Sequence, residues 1–142
     1  VPFLARWPGH VPAGAVSGAL MGHVDTVATI AALTGRPLPA DAAPDSFNVL
    51  PAWLGQQASP ACRDHLVLQN NGQRPLGLRE GNWMLIETGG GRKGKGAAGG
   101  HELYDLGGDL SETKDLAAAH PERVKAMADR LRQLRENGKS RH

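Results

Sequence analysis

The sequence predicts an α/β protein overall, built from two consecutive parts, and three patterns support this fold class. Near the N-terminus, an apolar run predicts a strand, and a later helix that is apolar on most sides is predicted to be buried. Four short apolar stretches between residues 65 and 106 then predict a small antiparallel sheet. An amphipathic helix follows, so the second part is predicted to be an α+β layer with this helix lying across the sheet.

The first part begins with a predicted buried strand. Residues 1–7 form a largely apolar run, and Pro8 and Gly9 end it with a turn. Residues 11–22 are rich in glycine, proline and alanine, which predicts a connecting loop. Because a predicted strand already opens the chain, we expect the chain to be a piece of a longer protein.

Residues 24–33 predict a buried helix. Apolar residues occupy most of its positions, and a helix that is apolar on most sides is buried. Gly35, followed by Pro37, supplies the end of this helix. Residues 36–46 contain three prolines and predict a linker over the surface, so we place a domain boundary at its end.

This boundary divides the chain into residues 1–45 and residues 46–142. The second domain contains the predicted sheet and closes on a helix for which Pro121 is a favourable first residue. One face of this helix is apolar, and Trp83 is predicted to anchor it to the sheet. The predicted strands are residues 65–69, 76–79, 82–87 and 103–106, and the apolar helix positions are Val124, Met127, Ala128, Leu131 and Leu134.

The composition limits the classes of function. With 40% hydrophobic and 21% charged residues, the chain is typical of globular proteins. No stretch approaches the roughly 20 apolar residues of a membrane span, and a net charge of +2 is too small to predict a nucleic-acid partner. Cys62 is the single cysteine, which excludes an internal disulfide and a cysteine-based metal cluster.

The glycine-rich tract of residues 89–100 nearly matches two phosphate-binding patterns. In the P-loop pattern, Gly96 stands where a Ser or Thr hydroxyl is required. In the dinucleotide pattern, the glycines must open a helix, whereas residues 101–106 predict a strand. We therefore predict a hairpin loop for this tract and no phosphate site.

No metal site is predicted within the chain. His23 and Asp25 are two residues apart at the start of a helix, so their side chains point in different directions. Asp25 is instead placed where a negative charge complements the helix dipole. The other histidines are scattered among predicted loops and strand ends.

Four segments stand in a fixed order along the chain. They are VPFLARWPG at 1–9, HVDTVATIAALTG at 23–35, LREGNWMLI at 78–86, and ELYDL at 102–106, which runs on to Asp109, Glu112 and Leu116. Together they resemble the C-terminal third of sulfatases, the formylglycine-dependent sulfuric ester hydrolases of the alkaline-phosphatase-like superfamily. Two departures from the family pattern, Leu110 where proline is common and Asp115 where asparagine is common, do not touch chemistry.

The resemblance implies that residues 1–45 are the last strand and helix of an alkaline-phosphatase-like α/β catalytic domain, and that residues 46–142 are its small C-terminal subdomain. It also implies that the catalytic lysine, the formylglycine and the calcium ligands lie upstream of this chain. The sulfatase nucleophile lies within C/S-x-P-x-R, and the residues around Cys62 do not match this motif. We therefore assign no catalytic residue and no metal ligand to the chain.

The turn after the first predicted strand is the candidate substrate-pocket element. Gln69, Asn70 and Asn71 supply amides, and Arg74 supplies a cation for an anionic group. The resemblance implies that this turn borders the active-site pocket, where some sulfatases have a histidine in place of Gln69. The alternative is a plain hairpin turn, in which Asn-Gly pairs are common.

The resemblance implies that the intact protein hydrolyses a sulfate ester of a small molecule or a glycan. Two alternatives stay open: a phosphoester hydrolase or phosphotransferase of the same superfamily, and a non-enzymatic binding module. The presence of C/S-x-P-x-R in the upstream sequence would separate a sulfatase from a phosphoester hydrolase or phosphotransferase. The resemblance is compatible with a periplasmic or secreted protein, and the sequence itself assigns no location.

Overall fold

The computed structural model describes residues 2–56, 61–69, 76–88 and 100–141. The described residues form two compact units, Val1–Asp64 together with Lys139–His142, and His65–Gly138. We call them the first unit and the second unit. The elements are a 3₁₀ turn at His23–Asp25, helices α1 (Thr26–Leu33), α2 (Leu50–Trp53) and α3 (Pro121–Asn137), and strands β1 (His65–Gln69), β2 (Leu76–Glu80), β3 (Trp83–Glu87) and β4 (His101–Asp105).

The second unit is a four-stranded antiparallel sheet in the order β1-β2-β3-β4, with α3 packed against it. Leu78 pairs with Val67 on one side and with Leu85 on the other, and Leu85 pairs with Leu103. Paired residues share a face of the sheet, so these side chains form one apolar row. The predicted antiparallel sheet with a C-terminal helix is confirmed.

The core of the second unit lies between this row and α3. Leu131 is 1% exposed there, and Trp83 packs against the same cluster, so the predicted shared core is confirmed. α3 begins at Pro121 and ends at Gly138, whose φ of 64° is the left-handed conformation favoured by glycine. The buried cluster consists of Leu78, Leu85, Leu103, Ala117, Met127 and Leu131.

The first unit forms no strand at residues 2–7, where the sequence predicts one. The backbone instead enters a turn in which the N–H groups of His10 and Val11 donate to the carbonyl oxygen of Trp7. A strand needs a neighbour to pair its backbone groups. All strands of the described residues belong to the second unit.

Helix α1 forms as the sequence predicts, but only one of its sides is buried. Ala28 and Thr29 are 7% and 0% exposed, whereas Val27 and Ile30 on the opposite side are 52% and 43% exposed. The expectation that the helix is buried on most sides is therefore not met within the described residues. The four-residue helix α2 was not predicted, because four residues are too few to show a helical period.

The C-terminal residues close the first unit. The Arg141 guanidinium donates to the carbonyl oxygens of Pro39, Ala40 and Ala42 at 2.7–3.2 Å. The backbone N–H of Ser140 donates to the Asp45 carboxylate at 2.8 Å. The chain therefore leaves the first unit at residue 64 and returns to it at residue 139.

Candidate functional site

Gln69 lies at the end of β1, where its side chain is exposed and its backbone pairs with Leu76. Side chains alternate along a strand, so Gln69 lies on the same face as Val67, which packs against the core. The other predicted pocket residues, Asn70, Asn71 and Arg74, lie outside the described residues.

A cluster of polar side chains surrounds this end of the sheet. Glu87 is the last residue of β3, pairs with His101, and its carboxylate accepts a hydrogen bond from the Leu76 N–H at 3.4 Å. Arg135 of α3 donates to both oxygens of the Glu87 carboxylate, at 2.8 and 2.7 Å. Both contacts come from one nitrogen, Nη2 of Arg135, so a half-exposed ion pair joins the end of β3 to α3. The amide of Gln69 can both donate and accept hydrogen bonds but cannot carry a proton in catalysis.

A second polar group joins α3 to the other end of β1. Arg130 donates to the Glu80 carboxylate at 2.8 Å and to Nδ1 of His65 at 3.0 Å. A guanidinium has no acceptor, so Nδ1 of His65 accepts in this contact. His65 is 2% exposed, which makes it part of the packing between strand and helix. Sequence reasoning missed this group, because 65 residues separate His65 from Arg130.

The charged centre of the first unit is Asp25, which is 0% exposed. Its carboxylate accepts hydrogen bonds from the N–H groups of Gly22 and Phe47 at 2.8 and 3.0 Å, and from Arg63 at 2.5 Å. The Arg63 guanidinium also lies over the Phe47 ring, 4.7 Å from its centre. Asp25 is thus placed at the start of α1 as predicted, and its role is to bind backbone and arginine groups from three segments.

The start of α1 is held by further hydrogen bonds. The Ala28 N–H donates to the Ser46 hydroxyl at 2.9 Å, and the Val49 N–H donates to the Thr29 hydroxyl at 3.1 Å. The Thr29 hydroxyl in turn donates to the carbonyl oxygen of Asp25 at 2.7 Å. These bonds join α1 to residues 46–49, so the network holds the unit together and contains no free nucleophile.

Two carboxylates organise the segment after β4. Asp109 accepts hydrogen bonds from the N–H groups of Lys114 and Thr113, and the bond from Lys114 is the main cause of a lowered pKa for its carboxyl. Asp115 accepts hydrogen bonds from the N–H groups of Leu103 and Ala117, at 3.1 and 2.9 Å. An asparagine side-chain oxygen can accept the same two bonds, which explains why aspartate is tolerated at position 115.

Tyr104 provides a pH-dependent prediction. Burial, reinforced by its hydrogen bond to Glu102, raises the pKa of Tyr104 from 10.0 to about 12. The folded state therefore favours the neutral phenol, so this contribution to stability is complete below pH 10 and is lost as the pH rises through about 12. Because Tyr104 is the only tyrosine of the chain, the ultraviolet absorbance of tyrosinate measures its ionisation directly.

In the folded chain we expect the absorbance midpoint near pH 12, and in strong denaturant near 10, the ordinary value for tyrosine. Glu102→Gln should shift the folded midpoint toward 10, since it removes the acceptor carboxylate and its charge. Tyr104→Phe should abolish the signal. A folded midpoint near 10 would contradict the buried position of this side chain.

Known proteins similar to the chain are sulfatases. An N-acetylgalactosamine-6-O-sulfatase of Bacteroides thetaiotaomicron is 34% identical over 95% of the chain and 27% of that protein. A solved structure from work on glycosaminoglycan metabolism by Bacteroides thetaiotaomicron is 34% identical, with a TM-score of 0.70 over 82% of the chain and 25% of its own. The chain is homologous to the C-terminal part of sulfatases. No model of a protein family matches it.

A solved structure of lower identity shares the fold. A solved structure described as a complex with its substrate D-glucosamine-2-N,6-O-disulfate is 19% identical and superposes with a TM-score of 0.65 over 92% of the chain and 27% of its own. This likeness shows the fold alone. The chain spans about a quarter of the length of the proteins it matches. The predicted resemblance is confirmed.

The described residues do not fit the calcium ion that sulfatases use. In residues 2–56, 61–69, 76–88 and 100–141, no three His, Cys, Asp or Glu side chains come together as a metal site. Asp25, the buried carboxylate, is engaged by Arg63. We therefore derive no catalytic step through calcium from this part of the sulfatase fold.

The described helices include none that is both long and apolar enough to span a membrane.

Proposed function

We propose that the intact protein containing this chain hydrolyses a sulfate ester. The observation that carries this proposal is the 34% identity to an N-acetylgalactosamine-6-O-sulfatase across 95% of the chain. An identity of this level, distributed over both units, indicates a shared fold and a shared reaction class. The phosphoester hydrolase alternative finds no support among these relatives.

Within the intact enzyme, we assign a structural role to the first part and a substrate-binding role to one turn of the second. Residues 1–45 complete the α/β catalytic domain, and residues 46–142 form the small C-terminal subdomain. Gln69, Asn70, Asn71 and Arg74 border the substrate pocket. Their neutral amides and permanent positive charge can bind a polar or anionic substrate but cannot shuttle a proton near neutral pH.

The proposed substrate class is a sulfated amino sugar or a glycan that contains one. The relatives act on sulfated N-acetylgalactosamine by name, and one similar fold is described with a sulfated glucosamine as its substrate. Glycans of this kind carry several anionic groups. A guanidinium at Arg74 would pair with an anionic group other than the sulfate being cleaved.

Formylglycine and calcium are the groups that supply the chemistry in sulfatases. We propose that residues upstream of this chain hold both in the intact enzyme. Formylglycine would provide the nucleophile, and calcium would stabilise negative charge on the sulfate. The contribution of this chain is to complete the fold and to orient the substrate.

The test compares two substrates in the full-length enzyme. Truncating Gln69 and Arg74 to alanine should raise KM for a sulfated N-acetylgalactosamine oligosaccharide by about threefold to tenfold, as expected for one or two lost hydrogen bonds. Its kcat should change less, because these groups bind substrate and transition state alike. A small activated aryl sulfate, which lacks the additional sugar and anionic groups, should be nearly unaffected.

Arg132→Ala is the matched control. It removes an exposed arginine of α3 that is far from the turn in the sequence. A collapse of kcat on both substrates would show that the turn supports the catalytic centre directly. Unchanged kinetics on both would make it a plain hairpin turn. Faster turnover of a phosphate ester than of every sulfate ester would overturn the proposed reaction class.

A further inference from the structure

Three side chains meet at the end of the sheet where β3 begins. Trp83, the first residue of β3, packs against the core of the second unit. The Arg123 guanidinium of α3 lies over its ring, 4.5 Å from the centre, and the His120 ring meets it at 68° with the ring centres 5.3 Å apart. Both His120 and Arg123 are exposed to solvent. We call these three residues the Trp83 cluster.

Arg123 differs from the other arginines of α3, each of which donates to a carboxylate. Within the described residues, no carboxylate or carbonyl oxygen accepts a hydrogen bond from the Arg123 guanidinium. Its positive charge is therefore available to an anion from outside the chain. The pairs made by the other arginines are Arg130 with Glu80, Arg132 with Asp129, and Arg135 with Glu87.

The contact with Trp83 prepares Arg123 for binding an anion. An arginine side chain loses rotamer freedom when it binds a ligand, and stacking on an aromatic ring removes part of that freedom beforehand. The planar guanidinium can then donate two parallel hydrogen bonds to the oxygens of one sulfate group. The His120 ring beside it can donate one further hydrogen bond.

Two carboxylates lie close to the Trp83 cluster in the sheet or in the sequence, and neither is paired with Arg123. Asp105 is the neighbour of Trp83 on β4, and its carboxylate accepts a hydrogen bond from the Gly107 N–H at 2.9 Å. Glu122 directly precedes Arg123 on α3, and adjacent residues of a helix do not face each other. The cluster therefore keeps its positive character.

We infer that the Trp83 cluster binds a sulfate group of a sulfated glycan, at a site separate from the candidate substrate turn. Trp83 begins β3 and Glu87 ends it, beside the strand end that carries Gln69. A strand rises about 3.4 Å per residue, so the two ends lie about 14 Å apart. A glycan chain held at both ends binds more tightly than at either alone. The choice of ligand rests on the proposed function.

The experiment titrates this full chain with a sulfated N-acetylgalactosamine oligosaccharide. Trp7→Phe and Trp53→Phe leave Trp83 as the only fluorescent indole, and calorimetry on the same samples measures the affinity. We expect a saturable change of the Trp83 fluorescence, because the ligand engages the cation that lies over its ring. Arg123→Ala should weaken binding at least about tenfold, since it removes hydrogen bonds from a charged donor. Alanine is a good helix former, so α3 itself should persist.

Arg132→Ala is the matched control, since it removes the same charge from an exposed position of α3. It should leave the affinity nearly unchanged. Equal losses from Arg123→Ala and Arg132→Ala would mean that overall positive charge attracts the glycan, and would overturn the inference. Equal binding of the oligosaccharide after removal of its sulfate groups would also overturn it.

Two further titrations separate the cluster from other sites. Gln69→Ala with Arg74→Ala should leave the Trp83 signal in place. If that variant lost all binding while Arg123→Ala kept it, the turn would be the site and the inference would fail. An oligosaccharide that bound no more tightly than inorganic sulfate would make the cluster a general anion site and would overturn its assignment to a glycan.

The binding measurement does not depend on hydrolysis, so it can be separated from the proposed function. Binding at the Trp83 cluster, together with an intact enzyme that cleaves no sulfate ester, would support the inference and refute the proposed function. Sulfatase activity of the intact enzyme without binding at the cluster would refute the inference alone.

Discussion

Replacing Arg63 with methionine is expected to lower the free energy of unfolding of the first unit by about 3–5 kcal/mol, the usual cost of leaving one member of a buried ion pair without its partner. Asp25 and Arg63 have side-chain exposures of 0% and 1%, so solvent cannot replace the lost charge. The Asp25 carboxylate would keep its bonds from the N–H groups of Gly22 and Phe47. These neutral donors do not balance a full negative charge.

Hydrogen exchange is the suitable measurement, because it reports the opening of each of the two compact units separately. The amides of Ala28 and Val49 donate to side chains within the network, so faster exchange there reports its opening. Asp25→Asn combined with Arg63→Met should recover part of the loss, since the double variant buries no unpaired charge. An Arg63→Met chain with unchanged exchange at both amides would refute a stabilising role for the pair.

Leu131→Ala should destabilise the second unit by about 2–5 kcal/mol, the range for emptying a buried leucine site. Leu131 is 1% exposed and lies in the cluster with Leu78 and Leu85, at the contact between α3 and the sheet. The loss has two sources. The removed methyl groups no longer contribute the free energy gained by burying them, and the neighbours fill the resulting cavity only partly. Urea unfolding followed by tryptophan fluorescence measures it in a chain that also carries Trp7→Phe and Trp53→Phe, because the signal then comes from Trp83, which packs against the same cluster.

The neighbouring Arg132→Ala is the control for this measurement. Its side chain is 63% exposed and pairs with Asp129 three residues earlier, an exposed contact that contributes little. The expected change is within about 0.5 kcal/mol. Similar losses from both substitutions would mean that α3 turns a different face toward the sheet.

The second unit could be predicted from the sequence because its signals are local. The short apolar stretches and the period of α3 are each visible within a few residues, and Pro121 marks the start of the helix. The networks of Asp25 with Arg63 and of His65 with Arg130 could not be predicted, since they join residues 38 and 65 positions apart. Contacts of this length depend on how the elements assemble and leave no local pattern.

The first unit shows the limit of pattern reasoning in a different way. An apolar run and an apolar helix correctly indicate residues that require burial, but they do not indicate which chain segment provides the cover. Within the described residues, the run at 2–7 has no neighbouring strand and one side of α1 remains exposed. For the candidate pocket, the structure places Gln69 at a strand end, and the role of the turn stays a prediction.

The second unit is inserted into the first, because the chain returns to the first unit at residue 139 and Arg141 is hydrogen-bonded there. A chain that leaves one body and rejoins it can vary greatly in between, because the host body is closed by its own contacts on either side of the junctions. Connections between strands of such an insert can lengthen or shorten at small entropic cost. The segment His65–Gly138 can therefore be replaced as a whole between related proteins, together with the turn proposed to bind the substrate. The hydrogen bonds of Ser140 and Arg141 to residues 39–45 do not depend on that segment.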